Sequence, residues 1–214
     1  MRAVAMLVSY EVPMVLSLVG ILMWTGSMSL VDIVEAQRLP FILLQPLAFV
    51  IFFAATTAEV NRPPFDMIEA ESEIVAGYHT EYSGVKFAIF QLAEFMAPLV
   101  TSVVATVLFL GGTRGFEPVP GQIWFLLKVL LVMFFLLWMR ATWPRLRVDQ
   151  IMGFAWKGLF PLALVNMFII AVEVQILQDP EGGLSTNALW TMAAVNWAVT
   201  IAAVVVMANI LGQP

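Results

Sequence analysis

The chain has 214 residues, of which 61% are hydrophobic and 12% charged, with a mean hydropathy of +0.93 and a net charge of −5. A soluble domain sits nearer half apolar and a quarter charged, so this balance points to a bilayer, and the acidic net charge argues against a nucleic-acid partner. The absence of cysteine excludes a disulfide, a thiolate nucleophile or a cysteine-bound iron–sulfur cluster, and the single histidine, His79, makes no histidine-rich metal site.

Six apolar segments follow in chain order, at residues 10–26, 41–58, 86–110, 123–143, 154–175 and 189–211. A hydrocarbon core needs about 20 such residues per helix. Continuous apolar runs select helices over the short alternating strands of a barrel, because a spanning segment must satisfy its own backbone. The sequence therefore predicts a single integral membrane domain over residues 1–214. Its fold class is an all-α polytopic membrane protein, a bundle of about six transmembrane helices with a long acidic cytoplasmic loop at residues 59–85. Pro13 is expected in the first turn of the first helix, where proline is tolerated. Met1-Arg2 leads into a segment that runs beyond the length of a signal peptide and lacks a small-residue cleavage pattern.

Basic residues orient the bundle. Arg2, Arg62, Lys86, Arg140, Arg145, Arg147 and Lys157 fall on one side, and only Arg38 and Arg114 on the other. The excess marks the first side as cytoplasmic, together with both termini and the loop at 59–85.

That loop runs Glu59-Val60-Asn61-Arg62-Pro63-Pro64-Phe65-Asp66 and continues through Glu69-Ala70-Glu71-Ser72-Glu73. Five of the fifteen acids of the chain lie between Glu59 and Glu73. A solvated loop that simply carries charge is the ordinary explanation for such a run. Two features weigh against it: the acids alternate with Phe65, Met67, Ile68, Ile74 and Val75, and Pro63-Pro64 stiffens the exit from the preceding helix. If helix resumes at Asp66, Glu69 and Glu73 share a face, and neighbouring carboxylates raise each other's affinity for protons. Groups that hold or release a proton near neutrality are what a proton relay requires.

Ionisable residues in or near the spans extend the pattern: Glu11, Glu59, Glu94 and Lys128. A charge in the hydrocarbon costs several kcal/mol, so such groups usually face a bundle interior or an ion path. Glu11 and Glu59 also suit an interface, Glu94 also suits a structural hydrogen bond, and the long stem of Lys128 lets it snorkel. Glu173, near the outer end of the fifth segment, carries no special expectation. Arg140-Ala141-Thr142-Trp143-Pro144-Arg145-Leu146-Arg147 is first a cytoplasmic anchor, and the seven tryptophans mostly suit an aromatic belt. The sequence has no phosphate-binding loop and no nucleophile motif, so nucleotide chemistry belongs elsewhere.

The loop, the Glu81-Tyr82 pair, Ser9-Tyr10-Glu11, Leu92-Ala93-Glu94 and the run Arg140–Arg145 with Asp149-Gln150 and Trp156-Lys157 resemble the H-type subunit (the mitochondrial subunit 1 type) of proton-translocating NADH:quinone oxidoreductase, respiratory complex I. The likeness extends in order from Arg2 to about Pro161. It implies that Arg62, Asp66, Glu59 and Phe65 belong to a quinone cavity. It further implies that Glu11, Glu59, Glu69, Glu71, Glu73, Glu81 and Glu94 form an acidic proton path toward antiporter-like subunits. The subunit so implied is part of an enzyme, a translocase, yet has no catalytic residue or redox centre of its own. It binds no cofactor covalently or through metal ligands and takes quinone as substrate. Its implied partners are the peripheral-arm quinone-site subunits, the membrane-arm antiporter-like subunits and lipid. Its implied place is the bacterial plasma (inner) membrane, which the last apolar segment favours over a mitochondrial source.

One departure qualifies the likeness. Members of that family begin with three more helices that have no counterpart here, whether truncated or carried on another chain, so these residues alone do not make a complete quinone chamber. Two other functions compete. The homologous membrane subunit of a [NiFe] hydrogenase or formate hydrogenlyase resembles this loop but takes no quinone, and its neighbouring genes would differ. A secondary transporter coupled through Glu94 predicts inverted repeats with paired broken helices, which are not visible here.

Overall fold

The computed structural model describes residues 2–61, 64–65, 81–115, 118–144, 146–177 and 186–211. Every regular element among the described residues is helical: α1 (Arg2–Thr25), α2 (Leu30–Ala36), α3 (Phe41–Leu44), α4 (Pro46–Glu59), α5 (Val85–Phe109), α6 (Gly121–Thr142), α7 (Val148–Gly153), α8 (Phe160–Leu177) and α9 (Thr186–Leu211). A π-helical turn, Phe154–Leu159, joins α7 to α8. Five stretches are long and apolar enough to cross a membrane: Val4–Thr25, Val85–Phe109, Gly121–Thr142, Asp149–Ile176 and Ala188–Met207. The chain is thus an all-α polytopic membrane protein, as its composition implies.

The second apolar segment departs from the expected single helix. It breaks at Gln45 (φ −133, ψ 62) and resumes with Pro46 as the first residue of α4. Proline disfavours helical geometry in the residue before it and is well placed at a helix start, so the dipeptide sets the break. With 14 residues, α4 is about 21 Å long at a helical rise of 1.5 Å, short of a hydrocarbon thickness of roughly 30 Å. Ten of its residues are buried, from Pro46 to Ala58. α4 is the central helix of the bundle, walled in by other helices on most sides.

Prolines mark two further departures. α1 begins at Arg2, so Pro13 lies well inside it rather than in its first turn. Pro13 has no N–H for the carbonyl of Ser9, and Pro161 has none for that of Lys157, where the helix widens into the π turn.

α1 packs along α4 and α8, and α5 along α6. Two apolar clusters result. One joins Ile21, Phe41, Leu44, Phe52 and Phe109 at the end of the bundle that holds α2 and the α5–α6 connection. The other joins Met6, Tyr10, Ile51, Ala55, Phe65, Ile151 and Leu159 at the opposite end, where α4 leads into the acidic loop.

The first of these ends is tied by cations on carbonyls. Lys128 Nζ donates to the carbonyls of Leu110 (2.6 Å), Gly112 (3.1 Å) and Arg114 (2.5 Å). Arg114 in turn donates to the carbonyls of Gln37 and Glu35, at 2.5 and 2.8 Å. The Gln37 amide donates to those of Val107 and Leu108, at 2.9 and 3.1 Å. Lys128 therefore serves the chain turn after α5, which turns back through Gly111 and Gly112 at φ 72 and 49. Lys128→Met keeps the stem and removes the ammonium. It should lower thermal stability by about 1 kcal/mol, the low end of the cost of leaving acceptors without a donor because these bonds are only partly buried, and speed labelling of a cysteine placed at Thr113. Unchanged melting and labelling would mean that water replaces the ammonium without loss.

Candidate functional site at the loop-bearing end

Three parts of the chain that lie far apart in sequence meet where α4 runs into the acidic loop. Tyr10 on α1 is 1% exposed, and its hydroxyl donates to the carbonyl of Ile151 at 2.9 Å. The ring of Phe65 lies 5.2 Å from that of Tyr10 and 6.3 Å from that of Phe154. The N–H of Leu146 donates to the carbonyl of Pro64 at 3.1 Å. The indole N–H of Trp156 donates to the Ser9 hydroxyl at 3.1 Å, while that hydroxyl donates to the carbonyl of Ala5 at 2.6 Å. Pro64 and Phe65 thus rest on an aromatic floor supplied by α1 and the π turn.

The turn that starts the loop follows from Asn61, the one non-glycine residue with positive φ (53) among the described residues. Asparagine tolerates this left-handed geometry better than most residues. Its N–H closes on the carbonyl of Ala58 at 3.1 Å, and its side-chain amide donates to that of Glu59 at 3.2 Å. Pro63-Pro64 then has no N–H to continue the helix.

The carboxylates singled out in sequence occupy different settings. Glu11 on α1 and Glu59 at the end of α4 are both exposed. They lie at the same end of two packed helices, since Met6 and Tyr10 share a cluster with Ala55 and Ala58. Glu81 is exposed just before α5, and Glu94 is half-buried nine residues into it. Within α5 the buried residues begin at Pro98, so the half that carries Glu94 is less enclosed by this chain than the half that meets α4. Pro98 has no N–H for the carbonyl of Glu94, which interrupts the helical ladder at the level of that carboxylate. Phe65, expected in a cavity wall, is 4% exposed and spends its ring on Tyr10 and Phe154. Arg62, Asp66, Glu69, Glu71 and Glu73 lie outside the described residues.

Among the described residues no group of histidine, cysteine, aspartate and glutamate side chains is arranged to hold a metal ion. What the described part offers is a rigid mount: an apolar floor, a loop anchored at Pro64 and Phe65, and carboxylates on the rim. The anchoring by Tyr10 has no local signal in the sequence, where Ser9-Tyr10-Glu11 draws notice for its acid.

Glu173, of which the sequence raises no special expectation, is 8% exposed and accepts a hydrogen bond from the Asn196 amide at 2.8 Å. The signal was present in the spacing. Ala163, Asn166, Ile170 and Glu173 recur every three or four residues and are all buried, which places both polar side chains on the inward stripe of α8.

Comparison with known proteins converges on one family. The family model for NADH dehydrogenase matches residues 1–171. The H-type subunit of the NADH-quinone oxidoreductase of Dehalococcoides mccartyi (strain CBDB1) is 56% identical over 181 residues, covering 84% of this chain and 50% of the relative. The corresponding protein from Geobacillus sp. (strain WCH70) is 50% identical over 176 residues, covering 80% and 53%. That from Brevibacillus brevis is 51% identical over 179 residues, covering 81% and 53%. The chain spans about half the length of the curated relatives it matches.

Proposed function

The chain belongs to the NADH dehydrogenase family, and from that membership we propose that it acts within a proton-pumping NADH:quinone oxidoreductase as a membrane subunit of the H type. In this reading it supplies part of the quinone cavity and the start of an acidic path that couples quinone reduction to proton movement. The observation that carries it is the mounting of the loop. Pro64 and Phe65 are held by Leu146, Tyr10 and Phe154, and Arg62 and Asp66 lie within two residues of that pair in the sequence.

The chemistry assigned to these residues is electrostatic. Arg62 and Asp66, with Glu59 on the rim, meet the quinone headgroup, and Phe65 anchors the loop from beneath. Reducing a quinone to a quinol consumes protons as well as electrons, which changes the charge that nearby carboxylates experience. Glu59, Glu69, Glu71 and Glu73, continuing through Glu81, Glu11 and Glu94, pass that change on as shifts in proton occupancy, because closely spaced carboxylates cannot all ionise freely. Electrons arrive from the peripheral-arm subunits, and the antiporter-like subunits receive the proton signal. The loop and both termini face the cytoplasm in this reading, in line with the excess of basic residues on that side. The names of the relatives favour it over the hydrogenase-type reading.

Arg62 tests the proposal, being the only basic residue among the five acids from Glu59 to Glu73. In the assembled complex, Arg62→Ala should reduce quinone-linked NADH oxidation at least tenfold, a loss in the range that follows removal of a positioned, charged hydrogen-bond donor. Oxidation of NADH by an artificial acceptor at the peripheral arm should be nearly unchanged. Retention of quinone-linked activity would remove Arg62 from the cavity and leave the loop a structural role.

A further inference from the structure

Away from the loop, the interior between α1, the α3–α4 break, α8 and α9 collects polar side chains. Gln45, Asn166 and Asn196 are each 2% exposed, and Glu173 is 8% exposed. Four of their polar atoms are buried without a hydrogen-bond partner: Gln45 Nε2, Gln45 Oε1, Asn166 Nδ2 and Glu173 Oε1. Glu173 Oε2 accepts from Asn196 Nδ2 at 2.8 Å.

Gly20 shows where Gln45 meets α8. A Cβ at that position would lie 2.7 Å from Ile170 Cδ1 and 3.3 Å from Gln45 Oε1, so Gln45 and Ile170 border the same point on α1. Asn166 and Glu173 sit one helical turn to either side of Ile170 on the same inward stripe. α9 closes the remaining side, since Leu189 and Ala193 pack with Leu44 and Ala48 and the Trp197 indole donates to the carbonyl of Leu43 at 3.2 Å.

An apolar interior penalises each such orphan by about 1–3 kcal/mol. The unpartnered atoms here include two amide nitrogens, which donate, and two oxygens. A cation serves only the oxygens and leaves the amide donors unmet, whereas water both donates and accepts. Polar recesses with several such partners are where buried water resides.

We propose that Gln45, Asn166, Glu173 and Asn196 form an internal hydrated site at the end of the bundle opposite the acidic loop, in which Glu173 holds an exchangeable proton. With Oε2 accepting from Asn196, the proton resides on Oε1 and is donated to water held by Gln45 and Asn166. Neutral Glu173 avoids a carboxylate charge in the hydrocarbon, which is costly wherever it has no counter-charge. The site is separate from the quinone reading of the loop and does not depend on it.

Infrared difference spectroscopy on the intact complex tests this. The parent should show a protonated-carboxyl C=O band at neutral pH that is lost in Glu173→Gln. The band should move to lower frequency in D2O, because water reaches the group. It should move to higher frequency in Asn196→Leu, where the hydrogen bond to Oε2 is gone. No band lost in Glu173→Gln, or a band indifferent to D2O, would overturn the proposal. Removal of the band by sodium chloride, but not by an equal concentration of choline chloride, would make the site a cation site instead and also overturn it. A high-resolution map of the parent complex gives a check that needs no variant. Ordered water should lie within hydrogen-bond reach of Glu173 Oε1 and of the Gln45 and Asn166 amides. Those amides turned directly onto Glu173 with no water between would overturn the hydrated site.

Discussion

Proton translocation should fall on the order of tenfold or more when Glu94 is replaced by glutamine, in complexes that still assemble and oxidise NADH. Removing a side chain that transfers protons commonly costs roughly 100-fold in the step it serves. Glu94 is half-buried in a helix long and apolar enough to span the membrane. As an anion there it costs roughly 2.5–3.5 kcal/mol on insertion scales. Such a residue persists either because it titrates or because it makes a structural hydrogen bond. Glutamine separates the two, since it keeps shape and hydrogen bonding and cannot ionise, while Glu94→Asp should retain part of the pumping. Asp32, exposed on α2 and accepting from the Ser27 hydroxyl at 2.6 Å, is the control. Its asparagine variant should pump normally. Proteoliposomes with a pH-sensitive dye at matched complex content provide the measurement. If Glu94→Gln pumps like the parent, Glu94 is a structural residue.

Gly20→Val should destabilise the bundle at the upper end of what overpacking costs, about 3 kcal/mol. The added Cβ would sit 2.7 Å from Ile170 Cδ1, and Ile170 is fully buried with little room to turn aside. The clash identifies its own remedy. Gly20→Ala should cost less, about 1–2 kcal/mol, and Ile170→Val, which deletes the offending methyl, should restore most of that loss in the double variant. Thermal melting of the purified assembly across the four-member cycle measures the coupling. Additive losses would mean that α1 and α8 do not meet through this pair.

The turn that starts the loop was legible because its signals are local. Glu59 through Asp66 reads as a shaped loop since proline and asparagine restrict the backbone wherever they occur, and the structure turns there through Asn61 at φ 53. Phe65 was legible as part of the loop but not as its anchor. Its burial depends on Tyr10 and Phe154, which are brought to it by helices that begin far away in the chain. The burial of Glu173 is hidden from the sequence for a related reason. A carboxylate near the end of an apolar segment is ordinarily solvated, and it is the packing of α9 beside α8, with Asn196 opposite, that encloses this one.

By itself the sequence determined the class of the protein. The bilayer imposes its length, apolarity and charge asymmetry segment by segment, so a helical membrane chain and its family likeness follow from composition and short motifs. The tertiary structure alone decided which side chains share an interior. It made the second segment, split at Gln45-Pro46, the central helix, set Lys128 on three carbonyls of the turn after α5, and brought Asn196 of α9 onto Glu173 of α8. In lipid an apolar helix has no hydrophobic reason to present one face rather than another, and mean apolarity therefore does not reveal its inward stripe. Close packing at positions such as Gly20 and pairing of the few polar groups make that choice.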